Sequence, residues 1–118
     1  MPRKQDPVLA NIYEQPRIFS EFVSAYLDGD VIEKRLGPIR RRRFANIVIT
    51  GMGTSYFSGY PAWLYLQAHG KSNVQWIDAS ELLHYSMGLI NDDTLLILVS
   101  QSGESFEIIR ILNWIRIK

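Results

Sequence analysis

The sequence has no cysteine. That excludes disulfides, thiolate metal sites and cysteine nucleophiles. Histidine is nearly absent: only His69 and His84 occur. A metal site would need carboxylates to complete it, and no paired metal-ligand spacing is visible. Neither a metal nor a cofactor is expected. Net charge is also close to absent, with 13 Lys+Arg against 12 Asp+Glu. A nearly neutral chain has no overall field to draw it to nucleic acid or to an anionic membrane, so neither is an expected partner. No apolar run approaches the ~20 residues of a membrane span. Met1-Pro2-Arg3-Lys4 is basic, but no uninterrupted apolar segment follows it as in a secretion signal. These absences lead to the expectation of a soluble, cytoplasmic protein.

What the chain has in quantity is apolar surface. Hydrophobic residues make up 47% of its 118 residues, enough for the core of one domain. Residues 1–43 read as helical and residues 44–118 as α/β, the two forming one structural unit. Asp6-Pro7 offers an N-cap followed by proline at the first helical position. Gln15-Pro16 offers a second start of the same kind. Ile18, Phe19, Phe22, Val23, Tyr26 and Leu27 then recur at helical spacing, and Asp28-Gly29-Asp30 ends the run. Val31 to Leu36 reads as a short helix stopped by Gly37-Pro38. Arg40 to Arg43 is the one charge run. A solvated helix end suits it best, because cations at a helix C-terminus complement the dipole.

From Phe44 the pattern changes. Phe44–Thr50, Asn73–Ile77 and Thr94–Val99 read as strands, the last apolar without alternation. Strands apolar on both faces belong to parallel sheets covered by helices. Helical stretches follow: one to about Gln67 closed by His69-Gly70, one over Ala79–Tyr85, and one after Gly103. Pro61 either begins the regular part of the first of these or bends it. Asn91-Asp92-Asp93 is a turn. The order implies a three-layer αβα fold on an open parallel sheet with right-handed crossovers. Ligands of such sheets bind beyond the carboxyl ends of the strands.

Two polar, glycine-bearing turns stand at those ends. In Gly51-Met52-Gly53-Thr54-Ser55 the glycines let the backbone turn and approach a ligand closely. Thr54 and Ser55 would open a helix, where free N–H groups and the dipole favour an anion. Ordinary N-capping explains the same residues. The second turn, Ser100-Gln101-Ser102-Gly103-Glu104-Ser105, collects three hydroxyls and a carboxamide within six residues. Capping alone accounts for this density less well. A phosphate monoester needs converging donors, and hydroxyls with helix N–H groups supply them. Glu104 would repel a phosphate if it pointed inward, so it is expected to face away or to cap. Neither turn is a Walker A loop. A dinucleotide-type glycine pattern begins at Gly51-Met52-Gly53 but meets Tyr56 where its third glycine belongs. His84 reads as structural, and Tyr60, Trp63 and Leu64 as a core stripe.

Gly53-Thr54-Ser55-Tyr56 and Ser100-Gln101-Ser102-Gly103-Glu104-Ser105 resemble the paired signatures of SIS (sugar isomerase) domains. The resemblance is closest to the first SIS domain of glutamine–fructose-6-phosphate aminotransferases and related sugar-phosphate isomerases and deaminases. Ile12-Tyr13-Glu14-Gln15-Pro16 is similar to the segment before that domain, and Ala79-Ser80-Glu81-Leu82-Leu83-His84-Tyr85 to its motif after the second strand. The resemblance implies a sugar-phosphate ligand, with Thr54 and Ser55 beside the sugar phosphate and Ser100, Gln101, Ser102 and Ser105 on its phosphate. Gly51, Gly53 and Gly103 would shape the backbone turns. Ser105 stands where the family usually has threonine, and Glu81 matches a motif glutamate to which no ligand contact is assigned. The family's catalytic glutamate, histidine and lysine match no position here, and neither a glutaminase domain nor a second SIS domain is present. The domain is thus expected to be truncated after its third strand and helix. The last helix is apolar nearly all round, which implies that missing chain or a partner subunit packs on it, the partner being a second copy or a complementing SIS chain.

Overall fold

The computed structural model describes residues 6–27, 29–70 and 72–118. Met1-Pro2-Arg3-Lys4, Asp28 and Lys71 lie outside these. The chain divides into two compact units, Met1–Arg42 and Arg43–Lys118.

The first unit is two helices, α1 (Pro7–Leu27) and α2 (Val31–Arg40). The Asp6 carboxylate accepts the Val8 N–H at 3.0 Å, so the expected cap is made. The expected second start at Gln15-Pro16 is not: Pro16 lies inside α1. Proline already holds a helical φ and gives up one N–H bond, to the Ile12 carbonyl. Arg17 bridges the adjoining turns by pairing with Glu14 and, at 2.7 Å, with Glu21. Phe22 and Tyr26 stack at 4.3 Å, while Phe19, Phe22 and Val23 stay exposed. The expected stop at Gly37-Pro38 is also overturned, since α2 continues to Arg40. Its end is held instead by Arg41 N–H on the Gly37 carbonyl at 3.3 Å and by Arg40 on Glu33 at 2.8 Å. Arg40 to Arg43 are exposed at this helix end.

The second unit is built on three parallel strands: β1 (Asn46–Gly51), β2 (Asn73–Asp78) and β3 (Thr94–Val99), in the order β2-β1-β3. β1 begins two residues later than its β-branched run suggests. Pairing sets the start: the Asn46 N–H reaches the Asp93 carbonyl at 3.1 Å, and the Asn73 N–H reaches Ala45 at 2.9 Å. After β1 the chain forms α3 (Thr54–Ser58) and α4 (Tyr60–His69). The single expected helix is split at Gly59, and Pro61 lies in the first turn of α4. A Cβ on Gly59 would stand 2.8 Å from Ile49 Cγ2, so the break lets the chain pass close over the sheet.

After β2, the Asp78 carboxylate accepts the Ser80 N–H at 2.8 Å and starts α5 (Ala79–Glu81). The path widens to a π-turn over Leu82–Ser86 and tightens to a 3₁₀ turn over Met87–Leu89. Asn91 to Asp93 form the expected turn, with the Asn91 side chain accepting the Asp93 N–H at 2.9 Å. β3 has the expected bounds, and α6 (Phe106–Ile117) follows.

Parallel partners share a face, so Val48 and Thr50 lie with Ile77, Leu96 and Leu98 on one side of the sheet. Val48 packs there with Ala79, Leu82, Ile108 and Ile111. Ile49 faces Gly59 on the other side. The result is a three-layer α/β unit. β3 departs from expectation in one respect: all six of its residues are only half-buried. It is an edge strand, with β1 as its one neighbour in the described sheet.

Thr50 is 1% exposed, and its hydroxyl has no hydrogen-bond partner among the described residues. An unpaired buried hydroxyl is costly. Thr50→Val is therefore expected to stabilise the unit by about 1 kcal/mol, read as a higher denaturant midpoint at unchanged slope. A lower midpoint would contradict it.

Candidate functional site

The order β2-β1-β3 places a topological switch point between β1 and β3, because the chain leaves β1 toward one side and β3 returns on the other. Both glycine-bearing turns begin at this crevice. Gly51 forms the junction. A Cβ there would stand 2.8 Å from the Val99 carbonyl oxygen and 2.9 Å from Ser55 C and Tyr56 N. The absence of a side chain is what lets β1, β3 and the start of α3 meet. Gly53 has φ +54°, a conformation glycine adopts without steric cost, and it turns the chain into α3. The Met52 carbonyl then accepts the Ser55 N–H at 3.1 Å and the Tyr56 N–H at 3.4 Å.

Thr54, Ser55, Ser58, Val99, Ser100 and Gln101 line one concavity of about 390 Å³. Four of the six residues expected to hold a phosphosugar thus face a common space: Thr54, Ser55, Ser100 and Gln101. Ser102 and Ser105 do not line it. Ser102 is on the exposed loop beyond, where its hydroxyl accepts the Glu104 N–H at 3.1 Å. Ser105 is half-buried at the N-cap of α6 and makes no side-chain cap. Gly103, at φ +70°, reverses the loop between them. Glu104 is exposed, as expected of a residue facing away.

The hydroxyls differ in what they can offer. Ser100 Oγ accepts the Gly103 N–H at 2.9 Å, which ties the loop and leaves its own proton to donate. Ser58 lines the concavity but was not singled out in the sequence, although it lies one turn after Thr54 and Ser55 on the same helical face. Its hydroxyl donates to the Ser55 carbonyl at 2.8 Å, so its proton is committed. The donors available are Thr54, Ser55, Ser100 and the Gln101 carboxamide, and the lining carries no charged side chain. The helix-dipole part of the expectation needs correction at Thr54. α3 has five residues and sums only a small dipole, so the hydroxyls carry the argument there. α6 has 12 residues, but its N-cap Ser105 does not line the concavity.

Aromatic packing fixes the start of α3 to β2. Trp76 Nε1 donates to the Tyr56 carbonyl at 2.8 Å, and the two rings stack at 4.2 Å. Burial, and then the charges of Glu81 and Asp78, push the Tyr56 phenol above its ordinary range. The expected core stripe is realised in part: Trp63 is half-buried against Trp76, whereas Tyr60 and Leu64 are more than 40% exposed. His84 is exposed and outside the concavity. Among the described residues no group of three or more His, Cys, Asp or Glu side chains could hold a metal ion. No described helix is long and apolar enough to cross a membrane.

The chain is 32% identical over 111 residues to glutamine–fructose-6-phosphate aminotransferase (isomerizing) of Chlamydia pneumoniae, covering 92% of this chain and 18% of that protein. It is 33% identical over 98 residues to the protein of the same name in Pyrococcus horikoshii, covering 83% of this chain and 16% of that one. The chain thus spans under a fifth of the length of these relatives. In structure it is similar to tagatose-6-phosphate ketose/aldose isomerase of Escherichia coli, with a TM-score of 0.61 and 26% identity, covering 79% of this chain and 25% of that one. The family model described as the SIS domain matches residues 40–116, from the end of α2 to the last turn of α6, and the chain belongs to that family.

Proposed function

We propose that this chain binds the phosphate of a sugar phosphate of the fructose 6-phosphate or glucosamine 6-phosphate class. The observation that carries the reading is the convergence of Thr54, Ser55, Ser100 and Gln101 on one concavity at the switch point. Ser102 and Ser105 complete the set if the loop around Gly103 closes on the ligand. Such a cradle binds an oxyanion through neutral donors. The relatives' names add support, since they handle fructose 6-phosphate and tagatose 6-phosphate.

The lining holds hydroxyls and a carboxamide, with no carboxylate, histidine or lysine to move a proton next to a carbonyl. The reading is therefore a phosphosugar-holding part of an aminotransferase, isomerase or deaminase, whose acid/base groups come from other polypeptide. The same observation favours a second reading, a phosphosugar sensor without chemistry. A partner, either a second copy or a complementing SIS chain, would cover α6, where Phe106, Ile109, Leu112 and Ile117 are exposed. We place the protein in the cytoplasm on the same reading. Size-exclusion chromatography is expected to show a dimer or larger species. A monomer that binds no hydrophobic dye would remove the partner.

The ligand is tested by thermal-shift titration. Fructose 6-phosphate and glucosamine 6-phosphate are expected to raise the unfolding temperature with saturation, and NAD is expected to leave it unchanged. Stabilisation by NAD with none by the sugar phosphates would overturn the reading in favour of a nucleotide-binding domain.

A further inference from the structure

At the opposite end of the sheet lies a second concavity, of about 210 Å³. Its polar lining is all carboxamide: Asn46, Asn73, Gln75 and Asn91. These residues come from three segments, and the strand register assembles them. Asn46 pairs with Asn73 and Val48 with Gln75, so Asn46, Asn73 and Gln75 stand on one face of the sheet. Farther along that face the residues are core: Val48 is buried beside Gln75, and Ile77 packs on the same cluster.

Gln75 interrupts this apolar face. It is half-buried, and among the described residues its carboxamide has no hydrogen-bond partner. The other three amides keep capacity as well. Asn73 Nδ2 donates to Asn46 Oδ1 at 3.4 Å, the outer limit of a bond. Among the described residues that leaves the Asn46 amino group and the Asn73 oxygen without a partner. Asn91 Oδ1 accepts the Asp93 N–H at 2.9 Å, which holds the side chain and leaves its amino group to donate. The remaining lining is Ile47, Val48, Gly88 and Leu89.

Donors and acceptors are both present, no charged side chain lines the space, and the exposed lining is mainly the four carboxamides. We infer that this concavity is a second binding site, for a neutral sugar. A pyranose ring has apolar C–H faces and an edge of hydroxyls that each donate and accept. Its hydroxyls match a rim of carboxamides that between them both donate and accept. An anion would find no counter-charge, and a planar amide would leave most of the rim unpaired. The inference does not depend on the phosphate cradle and would survive its failure.

Side-chain NH₂ resonances of the full chain report the site directly. Titration with D-glucose is expected to shift those of Asn46, Asn73, Gln75 and Asn91 together, saturating with a Kd in about the millimolar range. Gly88 lines the concavity and a Cβ there meets nothing within 4 Å, so Gly88→Leu adds bulk at its wall without a clash at Cβ. It is expected to weaken the response at least tenfold. Gln75→Leu replaces an unpaired amide on an apolar face, and is expected to keep the fold and lose the response. Inorganic phosphate is expected to leave these resonances in place. Shifts that stay linear with glucose concentration, that persist in Gly88→Leu, or that acetamide reproduces while glucose does not would each overturn the inference.

Discussion

Gly51→Ala is expected to disable the cradle and destabilise the α/β unit together. The added Cβ would meet Val99 O, Ser55 C and Tyr56 N at 2.8–2.9 Å. All three are backbone atoms, so no side chain can rotate away. The end of β3 or the start of α3 must move, which costs about 3 kcal/mol. Against a total stability on the order of 5–15 kcal/mol, that is a large fraction. The movement separates Thr54 and Ser55 from Ser100 and Gln101, so sugar-phosphate binding should fall below detection even where the variant remains folded. Gly88→Ala is the control, because its Cβ has open space. Denaturant unfolding and ligand titration of both variants check this. A Gly51→Ala protein with unchanged stability and affinity would contradict the geometry.

The second large effect is on binding alone. Ser100→Ala/Ser102→Ala removes two hydroxyls from the loop after β3. Hydrogen bonds to a charged group contribute about 1.5–3 kcal/mol each, so the pair corresponds to a loss of roughly 10²–10⁴-fold in affinity. Both hydroxyls also accept loop N–H groups, from Gly103 and Glu104, but those bonds are exposed. Losing them should move the unfolding midpoint of the free protein little. Calorimetric titration with fructose 6-phosphate separates the outcomes. Tight binding retained by the double variant would move the phosphate away from this loop.

The strands were the most legible part of the fold. Thr94–Val99 is an unbroken aliphatic run between a turn and a serine cluster, and its bounds agree with the structure. Helix ends were least legible where proline was read as punctuation. Pro16 and Pro38 each sit inside a helix, because a helical φ and neighbouring ion pairs offset one lost bond. The split at Gly59 depends on how closely the chain crosses Ile49, a contact between segments that local pattern does not encode.

The site was legible to the extent that its residues are local. Thr54-Ser55 and Ser100-Gln101 each form a compact cluster at a strand end, and parallel pairing brings the clusters together. Ser102 and Ser105 do not line the concavity: Ser102 is on the exposed loop and Ser105 is at the N-cap of α6. The carboxamide-lined concavity is not legible in the sequence for the converse reason. Asn46, Asn73, Gln75 and Asn91 are scattered in sequence, and only the register of β1 and β2 gathers them.

We propose that the switch-point cradle holds a sugar's phosphate. Backbone amide resonances followed during titration with fructose 6-phosphate test it most directly. Saturable shifts should concentrate at residues 53–55 and 100–105, and free fructose should leave those positions unmoved. Saturable binding of fructose 6-phosphate without shifts at either turn, or the same shifts with free fructose, would contradict it.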